Sequence, residues 1–246
     1  MCNNTVTDIV FQTRQPTKTE KRGRYMNKIK GIIFDVDGVI FDTERISAEF
    51  WDRTMRKHGY EMDVKTYAQV MGRNRQGVID GLTEIYNNPK LDFDAISTEK
   101  TADMVEYLDS GRIPVKEGVF EIIKYLEDNN YKRAVATSTR KERAKRRLEK
   151  EHIYEHFQAF MYGDEVENSK PNPEIFLKAA EKIGLSPSEC LVIEDSPSGV
   201  QAAYDGGFRC INVWDIKEPT EEMLNQTIYV CNSLLDVIDW LEKNNK

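Results

Sequence analysis

The stretch Lys30-Gly31-Ile32-Ile33-Phe34-Asp35-Val36-Asp37-Gly38-Val39-Ile40 decides how the rest of the chain is read. Ile32, Ile33 and Phe34 form an apolar run of the length of a strand buried on both faces. The run ends in two carboxylates one residue apart, then in a glycine that lets the backbone turn sharply beside a ligand. Like charges at a strand end repel unless a cation lies between them. The same residues also suit an ordinary acidic turn, and taken alone the stretch leaves both readings open.

Three more polar clusters each follow an apolar run. Arg133-Ala-Val-Ala-Thr137-Ser138-Thr139 reads as a strand ending in hydroxyls and backbone amides. Ser169-Lys170-Pro171-Asn172-Pro173-Glu174 sets a lysine in a proline-stiffened turn ahead of a helix. Leu191-Val-Ile-Glu194-Asp195-Ser196-Pro197-Ser-Gly199 is a second buried strand ending in paired acids, followed by a serine cap and a proline at the first helical position. Such groups at strand ends in an open α/β sheet line the edge where ligands bind.

Working outward, residues 1–26 read as a disordered polar extension, or as sequence upstream of a start at Met26. From Thr43 to about Gly111 the chain turns helical, with segments at Ser47–Lys57, Arg75–Tyr86 and Ile96–Leu108 divided by Gly59, Gly72 and Asn87-Asn88-Pro89. Beyond Gly111 helix and strand alternate: helices at 118–128, 141–150, 173–183 and 200–204, strands at 134–137, 159–162, 191–193 and 210–213. An amphipathic helix carrying Leu234, Val237, Ile238 and Leu241 closes the chain. The expected fold is α/β, a doubly wound parallel-sheet (Rossmann-like) core with an inserted small α-helical cap domain. Residues 27–43 and 112–246 form the core, and 44–111 the cap.

Composition bounds the function without naming it. With 35 basic against 42 acidic residues the formal charge is −7, which disfavours a nucleic-acid binder. No apolar run reaches membrane-spanning length and no signal-like segment opens the chain, so no membrane association and a cytoplasmic residence are expected. Cys2, Cys190, Cys210 and Cys231 lack C-x-x-C spacing, and the last three read as buried thiols. His152-Ile-Tyr-Glu155-His156 matches an inverted zincin pattern, but it falls in a connection and no third ligand is evident. The run Arg140-Lys141-Glu-Arg143-Ala-Lys145-Arg146-Arg147 reads as a solvated helix face, with Arg140 close enough to Thr139 to contribute to a site.

In this order the four clusters resemble the haloacid dehalogenase superfamily of phosphotransferases, in the branch of phosphoglycolate phosphatase, sugar phosphatases and β-phosphoglucomutase. The resemblance runs from about Lys28 to the C-terminus and rests on Phe34-Asp-Val-Asp-Gly, Ser169-Lys-Pro-Asn-Pro-Glu-Ile-Phe and Ile193-Glu-Asp-Ser-Pro-Ser-Gly-Val together. It implies that Asp35 is the nucleophile and Asp37 the general acid and base, with Thr137 and the Ser138 amide on the phosphoryl oxygens and Lys170 neutralising charge. Mg²⁺ is the implied cofactor, with Asp35, the Asp37 carbonyl, Asp195 and, through water, Glu194 as its ligands. Thr43 lies at the hinge into the cap, where it would fix Asp37 while the cap moves, also suits a helix N-cap, and is counted with Arg75 and Ser138 among the substrate-binding residues. Arg75 falls where relatives place an arginine that meets substrate phosphate, with Arg73 a weaker candidate, and Thr139 joins the substrate-binding set.

Asp37 argues for phosphotransfer over dehalogenation, since dehalogenases of the superfamily lack that second acid. Ser47 stands twelve residues after Asp35, where β-phosphoglucomutases carry a histidine, and this departure argues for hydrolysis. The expected function is a Mg²⁺-dependent phosphomonoester hydrolase acting on a small phosphorylated metabolite of the sugar-phosphate kind. A sugar phosphomutase and a non-catalytic binding protein on the same fold stay open, and no obligate protein partner is evident.

Overall fold

The computed structural model describes residues 27–71, 73, 75–110 and 113–245. The expectations placed on residues 1–26, including Cys2, and on Gly72, Asn74 and Gly111 lie outside them. Six parallel strands are ordered β3-β2-β1-β4-β5-β6. These are β1 (Gly31–Phe34), β2 (Lys132–Thr137), β3 (Ala159–Tyr162), β4 (Cys190–Glu194), β5 (Arg209–Val213) and β6 (Tyr229–Cys231). β1 pairs with β2 on one side and β4 on the other, Phe34 lying beside both Val135 and Ile193. The chain winds outward from β1 in one direction and then crosses to the other, so the crevice for ligands opens at the carboxyl ends of β1, β2 and β4.

Alternation along the strands divides the core into two layers. Ile32, Phe34, Val135, Leu191 and Ile193 face α5 (Val119–Asp128) and α10 (Leu234–Asn244), whereas Ile33, Ala136 and Val192 face α7 (Glu174–Lys182) and α8 (Pro197–Asp205). A strand covered on both faces must be apolar at every position, which is why β1 and β4 read as unbroken apolar runs. Cys190, Cys210 and Cys231 are buried thiols. No described helix is long and apolar enough to cross a membrane.

Four helices leave the core after β1: α1 (Thr43–Lys57), α2 (Val64–Ala68), α3 (Arg75–Tyr86) and α4 (Phe93–Asp109). They enclose a core of their own around Trp51, Met55, Tyr67, Leu82, Phe93 and Ile96. The outgoing and returning strands lie side by side, with Asp42 N donating to Pro114 O and Lys116 N to Ile40 O, both at 2.9 Å. Arg45 and Lys116, one on each side of this crossing, both pair with Asp215 of the loop after β5. Asp42 caps α1 by accepting from Arg45 N at 3.4 Å, so the N-cap reading of Thr43 is corrected.

The remaining corrections follow from packing. α1 begins at Thr43 and α4 at Phe93, earlier than the sequence pattern places them, because Asp42 and Asp92 supply caps ahead of the apolar periodicity. β6, α2 and α9 (Glu221–Gln226) are short elements with too few residues to set a period. α6 (Lys141–Lys150) is not wholly a solvated face. Arg143 and Arg146 pair with Asp109 of the cap, and Arg147 is buried.

Candidate active site

Asp35 follows β1, Thr137 ends β2, Lys170 lies in the loop after β3, Glu194 ends β4 and Asp195 follows it. Parallel pairing in this register brings all five to one edge of the sheet. Lys170 Nζ donates to Asp35 Oδ1 at 2.6 Å, to Glu194 Oε1 at 2.7 Å and to Ala136 O at 3.3 Å. Ligand oxygens of Asp35, Glu194 and Asp195 lie within 4.8 Å of one another. The second oxygen of Glu194 accepts from Ser196 N at 2.7 Å and Ser196 Oγ at 3.0 Å.

Two glycines make this crowding possible. Gly38 has φ +81°, and a Cβ there would lie 1.9 Å from Asp195 Oδ2. At Gly199, which follows the Ser196 cap and Pro197 in α8, a Cβ would lie 1.7 Å from Glu194 Oε1. A side chain at either place would push a carboxylate out of the cluster. Asn212 of β5 steadies the same corner by donating to the Glu194 and Asp195 carbonyls at 3.1 Å each.

Burial drives the electrostatics. It pushes the Asp35 carboxyl up to about 7, against the pull of Lys170 and with help from Glu194 and Asp37. Burial likewise raises Asp195 well above the usual carboxylate range, reinforced by Glu194, Asp35 and Glu44. Burial alone would discharge the Lys170 ammonium, but Asp35 and Glu194 outweigh it and hold it above its ordinary value.

Asp37 is held from the core side. Its Oδ2 accepts from Thr139 Oγ1 at 2.5 Å and its Oδ1 faces Arg147 Nη1 at 3.3 Å. Thr137 Oγ1 accepts from Thr139 N at 3.1 Å, which leaves its own hydroxyl hydrogen to donate, and Ser138 is exposed at the same turn. Thr43 is buried at the hinge, and its hydroxyl has no partner among the described residues. Arg75 is not brought to the cluster, since it binds Asp94 at 2.5 Å and Thr98 at 2.9 Å within the cap. Arg73 donates to Gly77 O at 3.5 Å. Ser47 meets Lys100 Nζ at 2.8 Å and Tyr67 OH at 2.9 Å, and Tyr67 donates to Glu44 at 3.2 Å. His152 and His156 lie apart from all of this, on Glu155 and Glu127.

A sequence model of the haloacid dehalogenase-like hydrolases matches residues 32–213. The chain belongs to that family. It is 31% identical over 186 residues to the phosphorylated carbohydrates phosphatase of Thermotoga maritima, covering 74% of this chain and 84% of that protein. It is 28% identical to the fructose-1-phosphate phosphatase YqaB of Escherichia coli over 74% of this chain and 95% of the relative. The structure of β-phosphoglucomutase from Clostridium difficile superposes with a TM-score of 0.64 at 24% identity, over 88% of this chain and 97% of that one. A haloacid dehalogenase-like protein of Agrobacterium tumefaciens gives 0.75 at 21% identity, over 87% and 98%. At those identities the last two show the fold alone.

Within this haloacid dehalogenase-like hydrolase, the residues absent from the sequence reading are Asn212, Lys100 and Lys217, together with the inward role of Arg147. Lys217 reaches from the core to Met71 O of the cap at 3.0 Å, beside a cleft lined by Glu44, Asp195, Ser196 and Thr220. Asn212 carried a signal, an amide within the otherwise apolar Cys210-Ile-Asn-Val213. Lys217 carried none.

Proposed function

We propose that this phosphomonoester hydrolase acts on a small phosphorylated sugar through an aspartyl-phosphate on Asp35, with Mg²⁺ bound beside it. The observation that carries the reading is the buried Asp35 carboxylate, held by Lys170 at 2.6 Å at the switch point of the sheet. The relatives support the substrate class, one being a phosphatase of phosphorylated carbohydrates and another of fructose 1-phosphate.

The donor set fits the ion. Three carboxylates converge, and among the described residues Lys170 is the cation in contact with them. That excess of hard oxygen donors suits Mg²⁺. Asp35, Asp195 and the Asp37 carbonyl would hold it directly, and Glu194 through water. When bound, it supplies positive charge that offsets the repulsion between the phosphoryl oxygens and the attacking carboxylate.

The chain's own groups divide the remaining work. Asp35 attacks phosphorus while Lys170 steadies the carboxylate. The free hydroxyl hydrogen of Thr137 and the Ser138 amide bind the phosphoryl oxygens. Asp37 gives its proton to the leaving oxygen, then takes one from the attacking water, a role worth about 10²- to 10⁴-fold. In a phosphomutase of the β-phosphoglucomutase type a sugar hydroxyl must reach the phosphorylated aspartate before water. Ser47, in place of the histidine, has its hydroxyl engaged by Lys100 and Tyr67, which favours the hydrolase.

A panel of phosphorylated sugars with Mg²⁺, and with EDTA as the control, tests the substrate class. β-Glucose 1-phosphate with a trace of the 1,6-bisphosphate then separates the two activities. Phosphate release in step with substrate loss supports the hydrolase. Accumulation of glucose 6-phosphate with negligible phosphate release contradicts it.

A further inference from the structure

Arg147 sits in the second turn of α6, at the end of a run of charged side chains that otherwise point outward. Its side chain is only 5% exposed. A guanidinium removed from water is costly unless a carboxylate compensates. The carboxylate within ion-pair reach, among the described residues, is Asp37, whose Oδ1 lies 3.3 Å from Nη1. Arg147 Nε, buried as well, has no partner there, and Asp37 is the side chain that the guanidinium meets. The other oxygen of Asp37 takes the Thr139 hydroxyl at 2.5 Å. Both braces come from the β2–α6 connection and its helix, the same segment that presents Thr137 and Ser138. One rigid unit therefore fixes the phosphate donors and the proton-carrying carboxylate relative to each other.

We propose that Arg147 is a positioning residue for Asp37, aiming with Thr139 the carboxylate that serves the leaving oxygen. The proposal rests on the reading of Asp37 as general acid and base. In the first step an Asp35 oxygen bonds to phosphorus as the ester P–O bond breaks. That bond's electron pair goes to the leaving oxygen, which takes the proton of Asp37. In the second, water oxygen bonds to phosphorus, the Asp35–phosphorus link breaks with its electron pair returning to Asp35, and the Asp37 carboxylate takes the water's proton. A contact of 3.3 Å is longer than the roughly 2.7–2.9 Å usual for charge-assisted bonds. Arg147 thus orients the carboxylate by charge rather than by a tight hydrogen bond.

The prediction is a dependence on the leaving group. Dinitrophenolate departs without protonation, whereas phenolate needs the acid. For Arg147→Met, kcat/KM on phenyl phosphate should fall about 10- to 100-fold while dinitrophenyl phosphate changes by less than about threefold. Arg147→Lys, which keeps the charge but loses the fork, should show a smaller loss in the same sense. Turnover of dinitrophenyl phosphate reports in the same tube that the protein is folded. Equal losses on both substrates, or no loss on either, overturn the proposal, the former marking a merely structural role. If Arg147→Met is insoluble, Arg147→Lys decides, and an unchanged ratio in it overturns the proposal. Asp37→Asn separates this failure from that of the underlying reading. If it too leaves the ratio unchanged, Asp37 is not the acid.

Discussion

Gly199 occupies the third position of α8, where helix propensity alone favours alanine by up to about 1 kcal/mol. The site opposes that preference. An alanine Cβ would lie 1.7 Å from Glu194 Oε1 and 1.9 Å from its Cδ, roughly half of an ordinary contact of about 3.5–4 Å. The carboxylate is not free to yield, because Oε1 holds Lys170 at 2.7 Å and Oε2 holds Ser196 N at 2.7 Å. Moving it clear opens both charge-assisted bonds, each worth about 1.5–3 kcal/mol. Subtracting the propensity gain, Gly199→Ala should lower stability by about 2–5 kcal/mol, and the melting midpoint by about 4–20 °C. Urea denaturation followed by circular dichroism measures the first, and a thermal scan the second. Turnover should fall too, since a displaced Glu194 also loosens the Lys170 that holds Asp35. A variant as stable and as active as the parent would refute the packing of Glu194 against Gly199, and with it the account of why the motif needs a glycine there.

Asp195→Ala should need far more Mg²⁺ than the parent for half-maximal turnover, and Glu194→Ala should be partly rescued by excess metal before Asp195→Ala is, because a water-mediated contact contributes less than direct ligation. Metal titrations of turnover check this, and identical requirements in both variants would contradict it. Burial lowers Lys100 from its ordinary 10.5 to about 8, with Glu44 partly offsetting it. Below about pH 8 both states are charged and the folded one bears the burial cost. Between about pH 8 and 10.5 the unfolded state holds a proton that the folded state has lost, so the parent gains stability relative to Lys100→Met as pH rises. The advantage of the methionine variant should therefore shrink by about 3 kcal/mol across that window. Denaturant midpoints at several pH values measure it, and a constant difference would rule it out.

The strand-end motifs were legible because their geometry is local. An apolar run, paired acids and a glycine describe the end of β1 completely, and Ser196 with Pro197 marks the start of α8 just as closely. Arg147 hides among its neighbours as part of a basic face, although the helical period groups it with the buried Ala144 and Leu148. Charge density masks periodicity there. The tie of Arg75 to Asp94 and Thr98 could not be read, because it depends on where α3 and α4 pack in the cap. The Ser47–Lys100 contact spans 53 positions, and no spacing rule links residues that far apart. What escaped the sequence is contact between elements. What it held was which polar groups stand at the strand ends.

In the proposed mechanism Asp35 carries the phosphoryl group. Rapid acid quench during turnover of a sugar phosphate with Mg²⁺, followed by peptide mass spectrometry, tests it directly. A phosphate mass should appear on the peptide containing Asp35, absent in EDTA and absent from Asp35→Asn, which should itself show no turnover. An Asp35→Asn protein that hydrolyses its substrate at near the parental rate, or a phosphate carried on any other residue, would contradict it.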